Sequence, residues 1–304
     1  MLIRSGAIWR RQYLSYTAKL SLRDFSYNLR MSDFDPAIEA FYETLNRHGL
    51  RVFIKVIEPT DQPIVANAYL AHGFSDVHDT GRMRAITHAF VRAGVRVVVW
   101  DATHSWGKSE GDIAEATFDK HHADLEDVIE WSKGQRWFKA RYYVAGFSLG
   151  GMVAGMYAAA HPRQVMGLVL ACPVVGGPLL RARIPWPMRL WWRVRGRIKR
   201  RFMGMSLPQW EFVRSGWSFN LLAVSGRLTM PVLIVGGGRD FLVPPRHLRR
   251  LARAVGRDRA RLVVVAGAAH GFDAEVDQAR LKAEVEGWLA ANLKQSGKNP
   301  SINP

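Results

Sequence analysis

Cysteine is almost absent from this sequence, and its absence excludes two common ways of stabilising a fold. Among 304 residues only Cys172 is a cysteine. An intramolecular disulfide and a cysteine-based metal cluster are therefore excluded, and a single thiol suits a reducing compartment. On this ground we expect a cytoplasmic protein.

Long hydrophobic runs are also missing. The N-terminus carries Arg4, Arg10 and Arg11 but no uninterrupted apolar stretch of the kind that a signal peptide requires. The longest apolar stretch, around residues 165–175, is far below the roughly 20 residues that span a bilayer as a helix. We therefore expect no secretion signal and a protein that is soluble or at most peripheral.

Acidic residues are too few to balance the basic ones. The chain has 43 Lys and Arg against 26 Asp and Glu, and its net charge is +17. Charge of this sign favours association with nucleic acid phosphates or anionic lipid headgroups. However, the sequence has no zinc-finger spacing, no RNP-like aromatic motif and no basic-zipper heptads. We interpret the surplus as a solvated basic surface and expect no specific nucleic acid binding.

Short β-branched runs recur along the chain, and each is followed by a helix-like segment. They lie at residues 52–57, 64–70, 95–100, 142–145, 168–171, 232–235 and 262–265. Near-continuous apolar strands that alternate with helices indicate a mostly parallel sheet covered on both faces. The predicted fold class is therefore α/β, with a central sheet flanked by helices.

One segment, residues 176–227, breaks this alternation because tryptophan and arginine dominate it, and we predict an inserted cap there. A helical wheel separates its apolar residues from its arginines. The apolar side holds Met188, Trp191, Trp192, Ile198 and Phe202, and the basic side holds Arg189, Arg193, Arg197, Arg200 and Arg201. The predicted division is an N-terminal extension at 1–48, a core at 49–175 and 228–295, the cap, and a polar tail at 296–304.

The strongest chemical signal is a glycine-x-serine-x-glycine motif at residues 146–150, with Ser148 at its centre. A serine on a strand-to-helix turn adopts a strained backbone that tolerates only small neighbours. Strand-like residues precede the motif, and a helix of small residues is predicted at 151–160. This context favours a nucleophile elbow over an ordinary glycine turn.

A serine nucleophile needs a histidine base and a carboxylate that holds the histidine in one tautomer. In the order serine, acid, histidine, Asp240 follows an apolar strand and a run of three glycines. His270 follows the last predicted strand on a small-residue loop. Asp273 and Asp277 are weaker candidates for the acid.

Acyl transfer also requires backbone donors for the oxyanion. Leu149 offers its N–H at the predicted helix start, and Phe74 offers a second N–H in the loop that follows residues 64–70. We interpret His72 as a residue that organises this loop rather than as a base. An ordinary turn at this place is the alternative.

With these residues assigned, the chain resembles the α/β-hydrolase superfamily over roughly residues 50–293. Within it, the chain looks like small bacterial esterases of the cinnamoyl and feruloyl type and like acylglycerol lipases. The shared motifs are His72-Gly73-Phe74, Asp101 to Gly111, Gly146-Phe147-Ser148-Leu149-Gly150, Gly238-Arg239-Asp240 with Pro244, and Ala269-His270-Gly271. The resemblance implies a triad of Ser148, Asp240 and His270.

The loop at residues 101–111 departs from the usual superfamily pattern of an aspartate followed by glycines and a serine. It is similar instead to the fatty acyl transferase and thioesterase of bacterial luminescence systems, so an alcohol and a thiol both remain open as leaving groups. The cap matches no family pattern.

The expected function is therefore hydrolysis of carboxylic esters through an acyl-enzyme, without a metal or organic cofactor. An acyl thioesterase or acyltransferase is the main alternative. A serine peptidase ranks below it, and a lipid-surface-binding protein on the same scaffold is a further class, in which the basic cap contacts an anionic membrane. Five cap residues either line an apolar entrance or simply pack the cap onto the core: Trp186, Met188, Trp191, Trp192 and Trp217. The oligomeric state stays open.

Overall fold

A nine-stranded sheet forms the centre of the protein. The computed structural model describes residues 29–31, 37–177, 201–202, 205–206 and 210–298, together with positions 179, 182, 186, 187 and 190. The strands are β1 Leu29–Met31, β2 Ala37–Leu45, β3 Arg51–Pro59, β4 Ala66–Ala71, β5 Val95–Trp100, β6 Tyr142–Phe147, β7 Val165–Ala171, β8 Arg201–Phe202, β9 Met205–Ser206, β10 Val232–Gly237 and β11 Ala260–Val265.

The strand order is β1-β2-β3-β5-β4-β6-β7-β10-β11. The pairs β1–β2, β2–β3 and β3–β5 are antiparallel, and every pair from β5 to β11 is parallel. Strands β8 and β9 pair only with each other. The predicted α/β class with a mostly parallel sheet is confirmed, and the carboxyl ends of six parallel strands share one edge.

Helices cover both faces of the sheet. They are α1 Gly81–Arg92, α2 Phe118–Lys133, α3 Leu149–Ala160, α4 Trp210–Ser215, α5 Leu221–Val224, α6 Pro245–Val255 and α7 Glu275–Lys298. One core layer packs α2, α3 and α6 against the sheet, and the other packs α1 and α7 against its opposite face. Two layers form because successive side chains of a strand point to opposite faces of the sheet, and the parallel strands are buried on both faces.

The sheet begins earlier than residue 49, where the sequence places the start of the core. Residues 37–45 form β2, which pairs along its whole length with β3. The sequence did not indicate this strand because polar residues interrupt its apolar run. In the structure only Ala37, Glu39 and Ala40 of the strand are buried. Glu39 is buried because Lys55 of β3 pairs with it at 2.7 Å.

Much of the predicted cap, including residues 191–200 of its helical wheel, lies outside the described residues. The last two residues of the predicted helical wheel, Arg201 and Phe202, are in strand β8 and not in a helix. The start of the predicted cap segment lies beside its later part, since Gly176 forms an antiparallel β-bridge with Asn220. None of the helices within the described ranges combines the length and apolarity needed to cross a bilayer.

Candidate active site

Ser148 lies between β6 and α3, at the carboxyl edge of the sheet. Its backbone has a φ of 54° and a ψ of −112°, in the region that residues with a side chain seldom adopt. Hydrogen bonds hold this conformation: the Ser148 N–H donates to the Ala171 carbonyl at 2.8 Å, and its own carbonyl accepts from Met152 and Val174 at 3.1 Å. The turn therefore raises the serine side chain above the strand ends.

Both motif glycines are required by close backbone contacts. A Cβ at position 146 would lie 2.2 Å from the carbonyl oxygen of Gly150. A Cβ at position 150 would lie 2.0 Å from the Ala71 carbonyl oxygen and 2.4 Å from that of His72. The elbow is thus packed directly against the loop that follows β4.

The structure brings Ser148, His270 and Asp240 into one hydrogen-bonded chain. His270 Nε2 lies 2.9 Å from Ser148 Oγ, and His270 Nδ1 lies 2.7 Å from Asp240 Oδ2. Asp240 is an acceptor when ionised, so it favours the tautomer with the proton on Nδ1. The Nε2 lone pair then faces the serine hydroxyl, which is the arrangement that proton abstraction requires.

Asp240 is fixed on its other side by the backbone. Its Oδ1 accepts from the N–H groups of Leu242 at 2.9 Å and Val243 at 2.7 Å, and its side chain is fully buried. Asp273, one of the weaker candidates, instead meets Arg82 at 3.3 Å. Asp277 lies in the first turn of α7.

Cys172 lies next to Asp240 and His270, and nothing in the sequence indicated this contact. Its sulfur, an oxygen of Asp240 and a ring nitrogen of His270 lie within 4.8 Å of one another, the one such group among the described residues. Burial, followed by the charge of Asp240, raises the pKa of the thiol. Because the imidazole and carboxylate are hydrogen-bonded to each other, this arrangement favours proton transfer over metal binding.

The two predicted oxyanion donors belong to segments that adjoin the serine. Leu149 is the first residue of α3, and Gly73, which precedes Phe74, is so close that a Cβ there would lie 3.3 Å from Ser148 Cβ. Within the described ranges, no backbone oxygen accepts a hydrogen bond from the N–H of Leu149 or Phe74. Both N–H groups therefore stay the predicted oxyanion donors.

Buried histidines lie directly behind this loop. His72 and His121 are both buried, and their rings meet edge to face with centroids 5.1 Å apart. Burial lowers the pKa of His72, and burial together with the neighbouring His72 lowers the pKa of His121 to about 3. Both side chains are therefore neutral at ordinary pH. His121 belongs to no motif, so the sequence offered no signal for it.

The unusual loop after β5 is held by its own aspartate. Asp101 accepts from the N–H and the ring of His78 at 2.9 and 2.8 Å and from the Lys108 N–H at 2.8 Å. Burial alone raises the pKa of Asp101, but the bonds from His78 outweigh it and lower the pKa to about 2. This carboxylate is therefore structural, since its lone pairs are occupied.

An aromatic cluster joins the loop after β4, which carries Phe74, to the predicted cap segment. The ring of Phe212 in α4 lies 4.1 Å from that of Phe74 and 5.0 Å from that of Phe118. Of the expected entrance residues, Trp217 is half-buried against the core and Trp186 is exposed. Met188, Trp191 and Trp192 lie outside the described residues.

Comparisons with known proteins give the same fold. A monoacylglycerol lipase of Mycolicibacterium smegmatis is 24% identical over 289 residues, which cover 81% of this chain and 95% of the lipase. Among solved structures, Est1E of Butyrivibrio proteoclasticus with bound ferulic acid has a TM-score of 0.66 at 20% identity and covers 81% of this chain and 97% of its own. The mouse α/β-hydrolase domain-containing protein 10 also has a TM-score of 0.66, at 16% identity, and covers 88% and 99%.

The predicted resemblance to α/β-hydrolases is therefore confirmed. Residues 62–214, half of the chain, match the Hydrolase_4 family, which is described as serine aminopeptidase, S33. The chain belongs to this family of α/β-hydrolases.

Proposed function

We propose that this protein is a serine hydrolase that cleaves carboxylic esters through an acyl-enzyme. The observation that carries the proposal is the hydrogen-bonded chain from Ser148 Oγ through His270 to Asp240 Oδ2. It stands at the carboxyl edge of a parallel sheet, where open α/β folds bind their ligands.

In the first step His270 Nε2 takes the proton of Ser148 while Oγ attacks the ester carbonyl. The same imidazole then protonates the leaving alcohol, and an acyl-serine remains. In the second step His270 takes a proton from water as the water oxygen attacks the acyl carbonyl. His270 then gives that proton to Ser148 Oγ as the acid leaves, which restores the free serine and the neutral imidazole. Asp240 keeps the proton on Nδ1 and stabilises the imidazolium that forms in each step.

The N–H groups of Leu149 and Phe74 act as the oxyanion donors in this mechanism. Two features support them: the closeness of Gly73 to Ser148 Cβ, and the absence of a backbone acceptor for either N–H within the described ranges. Preorganised donors of this kind supply a large part of the rate enhancement in acyl transfer.

The relatives support the ester as substrate class. One is a lipase of monoacylglycerol, and another binds ferulic acid. A thioester is the main rival substrate, and an amide is the other, since the family description names a serine aminopeptidase. We rank the ester first because the cap segment 176–227, which we retain as a proposal, is small for the anchoring of a peptide.

The test compares wild type with Ser148→Ala on p-nitrophenyl esters, an acyl thioester and an aminoacyl p-nitroanilide. We expect ester turnover to exceed the other two and to disappear in the variant, together with labelling by a fluorophosphonate. Wild-type turnover in Ser148→Ala would contradict the proposal. A preference for the p-nitroanilide would move the protein to the peptidases.

Contact with an anionic lipid surface is a second proposed property. Trp186 and Leu190 of the cap segment and Phe241 beside Asp240 are exposed, at 68%, 52% and 68%. Exposed apolar side chains on a chain whose net charge is +17 suit an interface with anionic headgroups. Sedimentation with phosphatidylglycerol vesicles should exceed that with phosphatidylcholine vesicles, and equal sedimentation would remove this proposal.

A further inference from the structure

Three hydrogen bonds made by two buried histidines hold the loop that carries Phe74. The Ala102 N–H donates to His72 Nε2 at 2.8 Å, and His72 Nδ1 lies 2.8 Å from the Gly73 carbonyl oxygen. His121 Nε2, from the first turn of α2, lies 2.8 Å from the His72 carbonyl oxygen. Two consecutive carbonyls of the loop are therefore each held by an imidazole.

The backbone partners fix both tautomers. A peptide N–H can only donate, so His72 Nε2 must be the acceptor and the ring proton of a neutral His72 lies on Nδ1, facing the Gly73 carbonyl. A carbonyl can only accept, so His121 carries its proton on Nε2. Both rings keep these states at ordinary pH because burial lowers their pKa.

Peptide planarity passes this constraint to the oxyanion donor. The Gly73 carbonyl and the Phe74 N–H belong to one trans peptide, so they point in opposite directions. When the His72 ring holds the carbonyl on the buried side, the N–H is turned away from that ring. The bond from His121 holds the preceding peptide, between His72 and Gly73, in the same way.

We infer that His121 and His72 are positioning residues that preorganise the Phe74 N–H for the oxyanion. The inference rests on the proposed acyl transfer and adds His121, which touches neither Ser148 nor the reacting atoms. The His72 carbonyl oxygen also lies against Gly150, where a Cβ would be 2.4 Å away. His121 therefore holds the loop against the turn that carries the nucleophile.

The test replaces His121 with Phe, which keeps an aromatic ring and removes the donor, and with Gln, whose amide nitrogen can reach the position of Nε2. Loss of an oxyanion donor itself costs about 10²–10³-fold in kcat, so loss of a positioning bond should cost about 10- to 100-fold with little change in KM. His121→Gln should recover most of the activity.

A readout specific to the oxyanion separates positioning from general damage. A trifluoromethyl ketone forms an oxyanion on Ser148, and its affinity should fall in His121→Phe in parallel with kcat. His104→Asn is the matched control, because His104 is equally buried, bonds the Asp112 carbonyl at 3.1 Å, and has a φ of 60° that Asn tolerates. We expect this control to keep kcat and ketone affinity within about twofold, since oxyanion effects are local.

Two outcomes would overturn the inference. One is unchanged ketone affinity in His121→Phe, and the other is an equal loss in His104→Asn and His121→Phe at similar Tm. Either outcome is distinct from failure of the proposed function, which shows as ester turnover that persists in Ser148→Ala. The kcat values of the His121 and His104 variants are compared only for the ester turnover that depends on Ser148, which is the turnover lost in Ser148→Ala.

Discussion

The ring of Phe212 packs at a tilt of 41° against the ring of Phe74, the proposed oxyanion donor, with the two ring centroids 4.1 Å apart. Phe212 belongs to α4 in the cap segment and also contacts Phe118 of α2. The first turn of α2 carries His121 as well, and its Phe118 N–H donates to Ser215 Oγ of α4 at 3.0 Å. One turn of helix therefore joins the proposed cap segment to the loop beside Ser148.

Phe212→Ala should weaken this junction. Phe212 is buried, so its truncation should lower the free energy of unfolding by about 3 kcal/mol, as for other buried phenylalanines. We also expect kcat/KM for a p-nitrophenyl ester to fall, because Phe74 loses the ring on which it packs. Urea unfolding and ester kinetics measure the two effects. Phe212→Leu, which keeps most of the volume, should lose much less of either, and equal losses would argue against a packing role.

Asp240→Asn tests which carboxylate orients His270. An amide at this position removes the preference for the proton on Nδ1, and in serine proteases the same change lowers kcat by about 10⁴-fold. We expect a loss of about 10³–10⁴-fold here. Asp273→Asn is the control, since this exposed side chain pairs with Arg82 at 3.3 Å and not with His270, and it should stay within about twofold of wild type. Reversal of the two results would give the role of the acid to Asp273.

The parts of this architecture that could be predicted are those with a local signal. Parallel strands buried on both faces read as apolar runs, and the loops after them carry Ser148, Asp240 and His270 in the order that the fold requires. Strand β2 was missed because Glu39 interrupts its apolar pattern, and only the fold reveals that Lys55 pairs with it.

The support behind the oxyanion loop could not be predicted for a similar reason. His121 contacts His72 across 49 positions of sequence, and a single histidine in a helix carries no motif. The loop at residues 101–111 was visible as unusual, but the bonds of Asp101 to His78 and Lys108 depend on how the whole loop folds. Contacts between residues that are distant in the sequence can be identified only from the tertiary structure.

Gly150→Ala should disrupt the site through the backbone alone. The new Cβ would lie 2.0 and 2.4 Å from two carbonyl oxygens, those of Ala71 and His72, and neither can move without shifting the loop. We expect ester turnover to be lost and the Tm to fall. Gly287→Ala in α7 is the opposite case, because nothing lies within 4 Å of its Cβ. There the free energy of unfolding should rise by about 1 kcal/mol, the usual gain of Ala over Gly in a helix.

Asp124 should make stability depend on pH between about 4 and 6. It is buried, and its oxygens accept from Asn46 at 3.0 Å and from the Thr103 N–H at 2.6 Å. Burial raises the pKa of Asp124 to about 6 despite these bonds. The unfolded value is about 3.9, so the folded state holds the proton more tightly. Its contribution is therefore fully favourable below pH 4 and is lost as the pH rises through 6.

The measurement is the difference in unfolding free energy between wild type and Asp124→Asn across this range. Relative to the variant, wild type should lose stability from pH 4 to pH 7, by at most about 3 kcal/mol for a shift of about two pKa units. Other titrating groups cancel in the difference, which isolates this carboxyl. A flat difference would mean that Asp124 is already ionised at pH 4, with the bonds from Asn46 and Thr103 outweighing the cost of burial.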